Sequence, residues 1–143
     1  MKIESPAFKS GQPIPQKYTC DGEDKSPALQ IHNLPAGAKS LAIIVDDPDA
    51  PRGVFDHWIA WNLPPATSIA EGAKIPNQGK NGFGDSRYRG PCPPKGKPHR
   101  YFFKIYALDS MIDLPNGSSK SELEEAIENH ILEEAELIGL YQR

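Results

Sequence analysis

The chain has 143 residues, a length that suits one domain with a hydrophobic core of its own. Its 16 lysines and arginines against 19 aspartates and glutamates give a formal net charge of −3, which excludes the basic footprint of a nucleic-acid-binding protein. The sequence also excludes a membrane-spanning helix, since no segment approaches the roughly 20 apolar residues that one needs.

Three short apolar runs predict β-strands in the first half of the chain. Residues 28–32 alternate weakly between apolar and polar side chains. Residues 40–45 are continuously apolar or small, as in a strand that is buried on both faces. Residues 57–63, HWIAWNL, form an aromatic and apolar run that Pro64 and Pro65 should end.

The clearest predicted strand is YFFKIYAL, residues 101–108. Strand alternation places one set of side chains on a single, mostly apolar face: Tyr101, Phe103, Ile105 and Ala107. The other face then carries a more polar set: Arg100, Phe102, Lys104 and Tyr106.

A helix is predicted after Ser119, because Ser119 with Glu122 fits a capping box, as does Ser121 with Glu124. Apolar positions recur at helical spacing from there: Leu123, Ala126, Ile127, His130, Ile131 and Ala135. On that face His130 is expected to be a partly buried, hydrogen-bonded core histidine. Residues 137–141 would form a last short strand.

Long connections separate these elements. Residues 72–99 have little regular pattern, and loops of this length inside a compact domain tend to be functional. Fifteen prolines, spread between the apolar runs, indicate stiff and ordered loops. We therefore predict a single, mostly β domain over residues 1–143, a β-sandwich or related closed sheet with a C-terminal helix.

Two features of composition bear on chemistry. The cysteines, Cys20 and Cys92, are too few for a disulfide scaffold and lack metal-ligand spacing, so free thiols are expected. Seven lysines and arginines precede Lys104 from Lys74 onward, with Asp85 as the one acid among them. This basic stretch either attracts an anion or is only a solvated loop.

Three polar groups lie at the ends of predicted strands. The acidic turn of IVDDPDAPRG follows residues 40–45, while His57 and the pair His99 and Tyr101 begin strands. The strand pleat points His99 and Tyr101 towards the core, and it gives His57 the same face as Ile59 and Trp61. These groups are expected to meet at one edge of the sheet, as the mouth of a pocket. Taken alone, the acidic turn fits four interpretations: a metal site, acid–base chemistry, an anion site or a purely structural turn.

The segments DDPDAP…FDHWIAWNLP and RGPCPPKGKPHRYFFKIYAL resemble the two signature segments of the phosphatidylethanolamine-binding protein family, also called the Raf kinase inhibitor-like family. FKSGQPIPQKYTCDGEDKSPALQIHNLPAGAKSLAIIVDDPDAP and the C-terminal AELIGLYQR resemble its bacterial and archaeal branch. The resemblance implies an antiparallel β-sandwich with a small pocket for phosphate or phosphoryl headgroups. The pocket residues it implies are Asp47, Pro48, Asp49, Ala50, Pro51, His57, Gly90, Cys92, Pro93, Pro94, His99 and Tyr101.

By the same resemblance we expect a regulatory binding protein that modulates a kinase or a protease, without a cofactor, and possible pairing into a homodimer. The alternative is a hydrolase in which His57 or His99 acts as general base beside an aspartate, but no nucleophile or oxyanion motif accompanies it. Two aspartates and two histidines also suit zinc, yet they are dispersed, so no metal is expected. The N-terminal MKIESPAFKS lacks the apolar run of a signal peptide, so a cytoplasmic location is expected unless such a peptide has been removed.

Overall fold

The computed structural model describes all residues, 1–143, and its regular elements are mostly β-strands. In chain order they are β1 (Lys2–Glu4), β2 (Leu29–His32), β3 (Ser40–Asp47), β4 (Phe55–Leu63), β5 (Ser68–Ile69), β6 (Asn77–Gln78), β7 (His99–Leu108), α1 (Lys120–Ile127) and β8 (Ile131–Tyr141). A single 3-10 turn, Gln16–Tyr18, precedes β2. Neither helical segment has the length and apolarity that a membrane crossing requires.

The strands form an antiparallel β-sandwich, as the sequence predicted. One sheet has three strands in the order β1-β2-β5, and the other has five in the order β6-β4-β3-β7-β8. All strand pairs within both sheets are antiparallel. Strand β3 lies at the centre of the larger sheet, and all eight of its residues are buried.

Alternation along β3 divides the core into two clusters. Leu41, Ile43 and Val45 face the smaller sheet and pack with the inward side chains of β7, among them Phe103. Ala42 and Ile44 face the other way and belong to a second cluster, completed by Ile59, Trp61, Leu108, Ile112, Leu123 and Ile127. Helix α1 therefore covers the outer face of the larger sheet, which is why residues 41–45 are apolar without interruption.

The C-terminal prediction is partly wrong. Helix α1 begins at the predicted capping box, with Ser119 as its N-cap, but it ends at Ile127. Strand β8 replaces the rest of the predicted helix, because backbone pairing with β7 runs from Ile131 to Tyr141. His130 lies in the turn between them, half-exposed, with Nδ1 2.8 Å from Asp109 Oδ1.

The prediction of free thiols is wrong as well. Cys20 and Cys92 form a disulfide between residues 72 positions apart. The two loops already meet through the backbone, since the Cys20 N–H donates to Pro91 O over 3.1 Å. Because structural disulfides are rare in reducing compartments, this bond weighs against the cytoplasmic location, which stays a prediction.

Candidate functional site

A β-bulge in β4 determines where His57 points. Val45 pairs with Trp58 and Asp46 pairs with Asp56, so His57 is an extra residue between two register pairs. The bulge turns His57 towards the sandwich interior, where its ring centroid lies 5.3 Å from that of Tyr101. The predicted common face with Ile59 and Trp61 is therefore wrong, since those side chains pack on the α1 side. Bulges redirect side chains in this way near functional sites.

The redirected histidine lines a cavity of about 200 Å³ at one end of the sandwich. The end of β3 and its turn, the start of β4, and the loop before β7 form its walls. The cavity brings together most of the predicted site residues: Asp47, Ala50, Pro51, His57, Cys92, Pro93, Pro94, His99 and Tyr101. Pro48, Asp49 and Gly90 are not part of its lining.

Two aromatic residues of the lining, Phe55 and Phe83, were missed by the sequence prediction. Phe55 packs 5.0 Å from His57 and 4.8 Å from Phe83, measured between ring centroids. Phe55 could have been found from its place two residues before His57, in the run that became β4. Phe83 lies in an irregular loop and carries no periodic signal.

Asp47 and His99 form a buried pair on the cavity wall. His99 Nδ1 lies 2.7 Å from Asp47 Oδ2, and Asp47 Oδ1 accepts a hydrogen bond from the Asp49 N–H at 2.7 Å. Because an ionised carboxylate only accepts, Nδ1 of His99 carries the proton of this bond. The pair leaves Nε2 of His99 for a ligand, and both carboxylate oxygens of Asp47 are already engaged.

His57 is held by a backbone carbonyl rather than by a carboxylate. Its Nδ1 lies 2.7 Å from the carbonyl oxygen of Arg89, to which it donates. Burial lowers the pKa of His57, against the opposing effects of the Arg89 carbonyl and of Asp47. The ring is therefore neutral at pH 7, and its Nε2 is a hydrogen-bond acceptor.

Tyr101 has a hydroxyl group without a partner. The residue is 0% exposed, and its Oη lies near the Asp47 carboxylate without meeting the geometry of a hydrogen bond to it or to any other group of the protein. Burial, and secondarily the nearby Asp47 carboxylate, raise the pKa of Tyr101 well above its usual range, so the hydroxyl keeps its proton. A buried polar group without a partner is costly, and in a cavity wall it indicates a place where a ligand oxygen can bind.

Asp49 does not line the cavity, but it stabilises one of the cavity walls. Its carboxylate accepts from the backbone N–H, Nε and Nη2 of Arg100, each at 2.9 Å. Hydrogen bonds from the Arg100 side chain lower the pKa of Asp49 to about 2, against a smaller opposing effect of burial. The paired side chains tie the turn that contains Ala50 and Pro51 to the start of β7.

Gly90 also lies outside the cavity, and it positions the loop that leads to the cavity wall. Its N–H donates to Asp24 Oδ1 over 2.7 Å, and a Cβ at this position would overlap the carbonyl oxygen of Tyr18. Only glycine allows this close approach, which holds the loop leading to Cys92 against residues 18–24.

Charged residues of the region mostly pair outside the cavity. Asp46 points to the α1 side, where Lys104 Nζ lies 3.2 Å and Lys120 Nζ 3.5 Å from its Oδ2. Arg89 stacks its guanidinium 4.3 Å from the ring centroid of Phe83. No lysine or arginine lines the cavity, and no three histidine, cysteine, aspartate or glutamate side chains are grouped to hold a metal ion.

Comparisons with known proteins agree on one family. The model of the phosphatidylethanolamine-binding protein family matches residues 4–142. A UPF0098 protein of Pyrococcus horikoshii is 51% identical and aligns over 100% of this chain and 77% of its own length. A second UPF0098 protein, from Methanothermobacter thermautotrophicus, is 48% identical over 100% of this chain and 99% of its own.

Two solved structures agree with this assignment. A phosphatidylethanolamine-binding protein homolog from Chlamydia trachomatis superposes with a TM-score of 0.94 at 44% identity, over 99% of this chain and 97% of the other. E. coli YbcL is described as a new member of the mammalian phosphatidylethanolamine-binding protein family. It superposes with a TM-score of 0.91 at 32% identity, over 99% of this chain and 98% of its own.

Proposed function

The chain belongs to the phosphatidylethanolamine-binding protein family, and from this premise we propose that its cavity binds the phosphoryl group of a phosphorylated small molecule or lipid headgroup. The observation that carries the proposal is the Tyr101 hydroxyl, buried in the cavity wall without a hydrogen-bond partner. A hydroxyl that keeps its proton is a neutral donor suited to a phosphoryl oxygen.

The other lining groups supply a complementary set of bonds. Neutral His57 accepts through Nε2, so it suits the P–OH of a singly protonated phosphate, whose second pKa is near 6. His99 becomes a charged donor through Nε2 when its ring is protonated. The negative charge of Asp47 is partly offset by the hydrogen bonds that it accepts from His99 Nδ1 and the Asp49 N–H, which reduces its repulsion of the anion.

The size of the cavity limits the ligand. Its volume of about 200 Å³ is smaller than the roughly 300–1,000 Å³ of pockets that enclose drug-sized molecules. A phosphoryl headgroup fits this volume, whereas the acyl chains of a whole lipid need an apolar cavity of greater length. The ligand class is therefore a phosphate monoester or a headgroup presented from a surface.

We place the protein among binding and regulatory proteins rather than enzymes. By its resemblance to inhibitors of kinases and proteases, its partner would be a kinase or a protease, and a homodimer belongs to the same proposal. A hydrolase is the second candidate, favoured by the Asp47–His99 pair, which has the geometry that orients a general base. The cavity lining contains no serine, threonine or free cysteine, so such a reaction would have to use water.

Calorimetric titration with inorganic phosphate, phosphorylethanolamine and sulfate tests the proposal. Phosphate and phosphorylethanolamine should bind, and sulfate should bind at least about tenfold more weakly, because it carries no proton at neutral pH for His57 Nε2 to accept. Equal affinity for sulfate and phosphate, or no binding of either at millimolar concentration, would contradict it. A screen of phosphate and carboxyl esters addresses the second candidate: turnover that is lost in His99→Ala would favour the hydrolase.

A further inference from the structure

The Cys20–Cys92 disulfide lies on the wall of the cavity. Cys92 is an exposed residue that lines the cavity, and Pro93 and Pro94 continue the same wall. Cys20 is partly exposed and lies on the neighbouring loop. The bond is therefore accessible from solvent, and it is attached directly to residues that would contact a ligand.

Non-covalent contacts hold the chain on either side of Cys92. Before it, the Tyr88 hydroxyl donates to Tyr18 O over 2.7 Å, and the Gly90 N–H donates to Asp24 Oδ1 over 2.7 Å. After it, the next residue that belongs to a strand is His99, which begins β7 and is bonded to Asp47. Residues 93–98 are thus a short connection between the disulfide and β7.

The remaining contacts of this connection come from the end of the chain. Arg143 Nη1 donates to Pro93 O at 3.4 Å, and the Gly96 N–H donates to the carbonyl oxygen of Arg143 at 3.1 Å. Gln142 Nε2 donates to Gly96 O at 2.6 Å. Arg143 Nε also lies 3.3 Å from Asp21 Oδ2, so these contacts and the disulfide both tie the connection to the loop that carries Cys20, and the disulfide is the one covalent restraint among them.

Arg143 also affects the chemistry of the bond. Its Nη1 lies 3.7 Å from Cys92 Sγ, where a guanidinium stabilises a thiolate. We propose that Cys20–Cys92 is a thiol-exchange site, and that its reduction by a dithiol loosens the cavity wall. The link to ligand binding rests on the proposed function, whereas the loosening itself does not.

The exchange proceeds in two balanced steps. A thiolate of the dithiol attacks Sγ of the exposed Cys92, the S–S bond breaks, and Cys20 leaves as a thiolate that takes a proton from water. The second thiol of the reductant, after losing its proton, then attacks the mixed disulfide and displaces Cys92 as a thiolate beside Arg143. The protein gains two electrons as two thiols, and the reductant becomes a cyclic disulfide.

Amide hydrogen exchange of the ligand-free protein tests whether loss of the disulfide loosens the cavity wall. Oxidised protein, protein reduced with dithiothreitol, and the Cys20→Ser/Cys92→Ser variant are compared. In both disulfide-free forms we expect amides within residues 92–99 to exchange at least about tenfold faster, while amides of β3 and β7 from Tyr101 onward stay protected and report that the fold is intact. Unchanged exchange in residues 92–99 would overturn the proposal, and so would global loss of protection in both forms, because the bond would then stabilise the whole fold.

Titration with inorganic phosphate tests the consequence for binding. Affinity should fall about tenfold on reduction and return on reoxidation with oxidised glutathione, because a wall that must be ordered on binding weakens the complex. Equal affinity in the two states would overturn the link to the ligand. If phosphate binds neither state, the proposed function fails, and the hydrogen-exchange result still decides whether the disulfide restrains the wall.

Discussion

His99 Nδ1 donates to Asp47 Oδ2 over 2.7 Å and joins the first residue of β7 to the last residue of β3. This bond fixes the tautomer of the neutral ring, since the proton on Nδ1 leaves a lone pair on Nε2. With its proton on Nδ1, the neutral ring offers a ligand an acceptor at Nε2 and not a donor. Asp47 thus determines which kind of hydrogen bond His99 offers in the cavity.

Asp47→Asn should reverse the tautomer of His99. Asn Oδ1 can still accept from the Asp49 N–H, so its NH₂ group faces His99 and the ring places its proton on Nε2. The variant has a donor at Nε2 without protonation, and phosphate should bind about tenfold more tightly than to wild type near pH 8. Calorimetry with inorganic phosphate, on both proteins in the same buffer, measures the difference in affinity.

Asp49→Asn is the matched control for this change. It removes the same charge from the same turn, but the Asp49 side chain is bonded to Arg100 and does not line the cavity. Its affinity for phosphate should stay close to that of wild type. If Asp47→Asn also bound phosphate as wild type does, the role of Asp47 in setting the tautomer of His99 would be disproved.

Tyr101→Phe should separate binding from stability. The change deletes a hydroxyl that has no partner in the free protein, so the free energy of unfolding should stay the same or rise by about 1 kcal/mol. Phosphate binding should weaken about tenfold or more, as expected for the loss of one hydrogen bond to a charged group. Urea denaturation and calorimetry measure the two effects. Tyr106→Phe, on the opposite face of β7, should leave binding unchanged; a Tyr101→Phe variant with wild-type affinity would refute the proposed contact.

The faces of β3 and β7 could be predicted from the sequence, because both strands keep a regular alternation up to the cavity. That regularity places Asp47, His99 and Tyr101 on the inner side and Asp46 on the outer side. His57 could not be placed in the same way. Its bulge depends on the register between β3 and β4, which is a property of the pair of strands and not of either sequence segment.

The other errors also arise from tertiary contacts. Ile131 and Ala135 fit both a helical and a strand period, and pairing with β7 decides for the strand. Cys20 and Cys92 are far apart in the chain, so their pairing follows only from the meeting of two irregular loops. Phe83 belongs to such a loop, whose conformation depends on side-chain hydrogen bonds that no periodic pattern reveals.

His57 should make stability depend on pH. Because burial lowers its pKa in the folded state, the unfolded state binds more protons at mildly acidic pH. The stabilisation from the neutral ring is complete above the unfolded value of about 6.5 and is lost as pH falls towards the lower folded value. The loss cannot exceed about 1.4 kcal/mol per pH unit for one group.

Urea denaturation between about pH 5 and about pH 7.5, the range around the ordinary histidine pKa, measures this dependence. His57→Gln should be less dependent on pH than wild type, because glutamine can donate to the Arg89 carbonyl but does not titrate. His32→Gln, at a side chain that is 48% exposed, serves as the control for replacing a histidine outside the core. Identical pH profiles for wild type and His57→Gln would show that the buried ring contributes nothing.

Asn81 organises the loop that presents Phe83 to the cavity. Its Nδ2 donates to Arg87 O at 2.8 Å, and its Oδ1 accepts from the N–H groups of Phe83 at 2.9 Å and Asp85 at 3.1 Å. The side chain is buried, so Asn81→Ala leaves these backbone groups without partners and should lower the free energy of unfolding by about 2–3 kcal/mol. Phosphate affinity should also fall, because Phe83 loses its fixed position.

The control is Asn77→Ala, which removes one 3.3 Å side-chain hydrogen bond and should change the free energy of unfolding by less than about 0.5 kcal/mol. Equal destabilisation by the two variants in urea denaturation would mean that the Asn81 hydrogen bonds do not hold the loop.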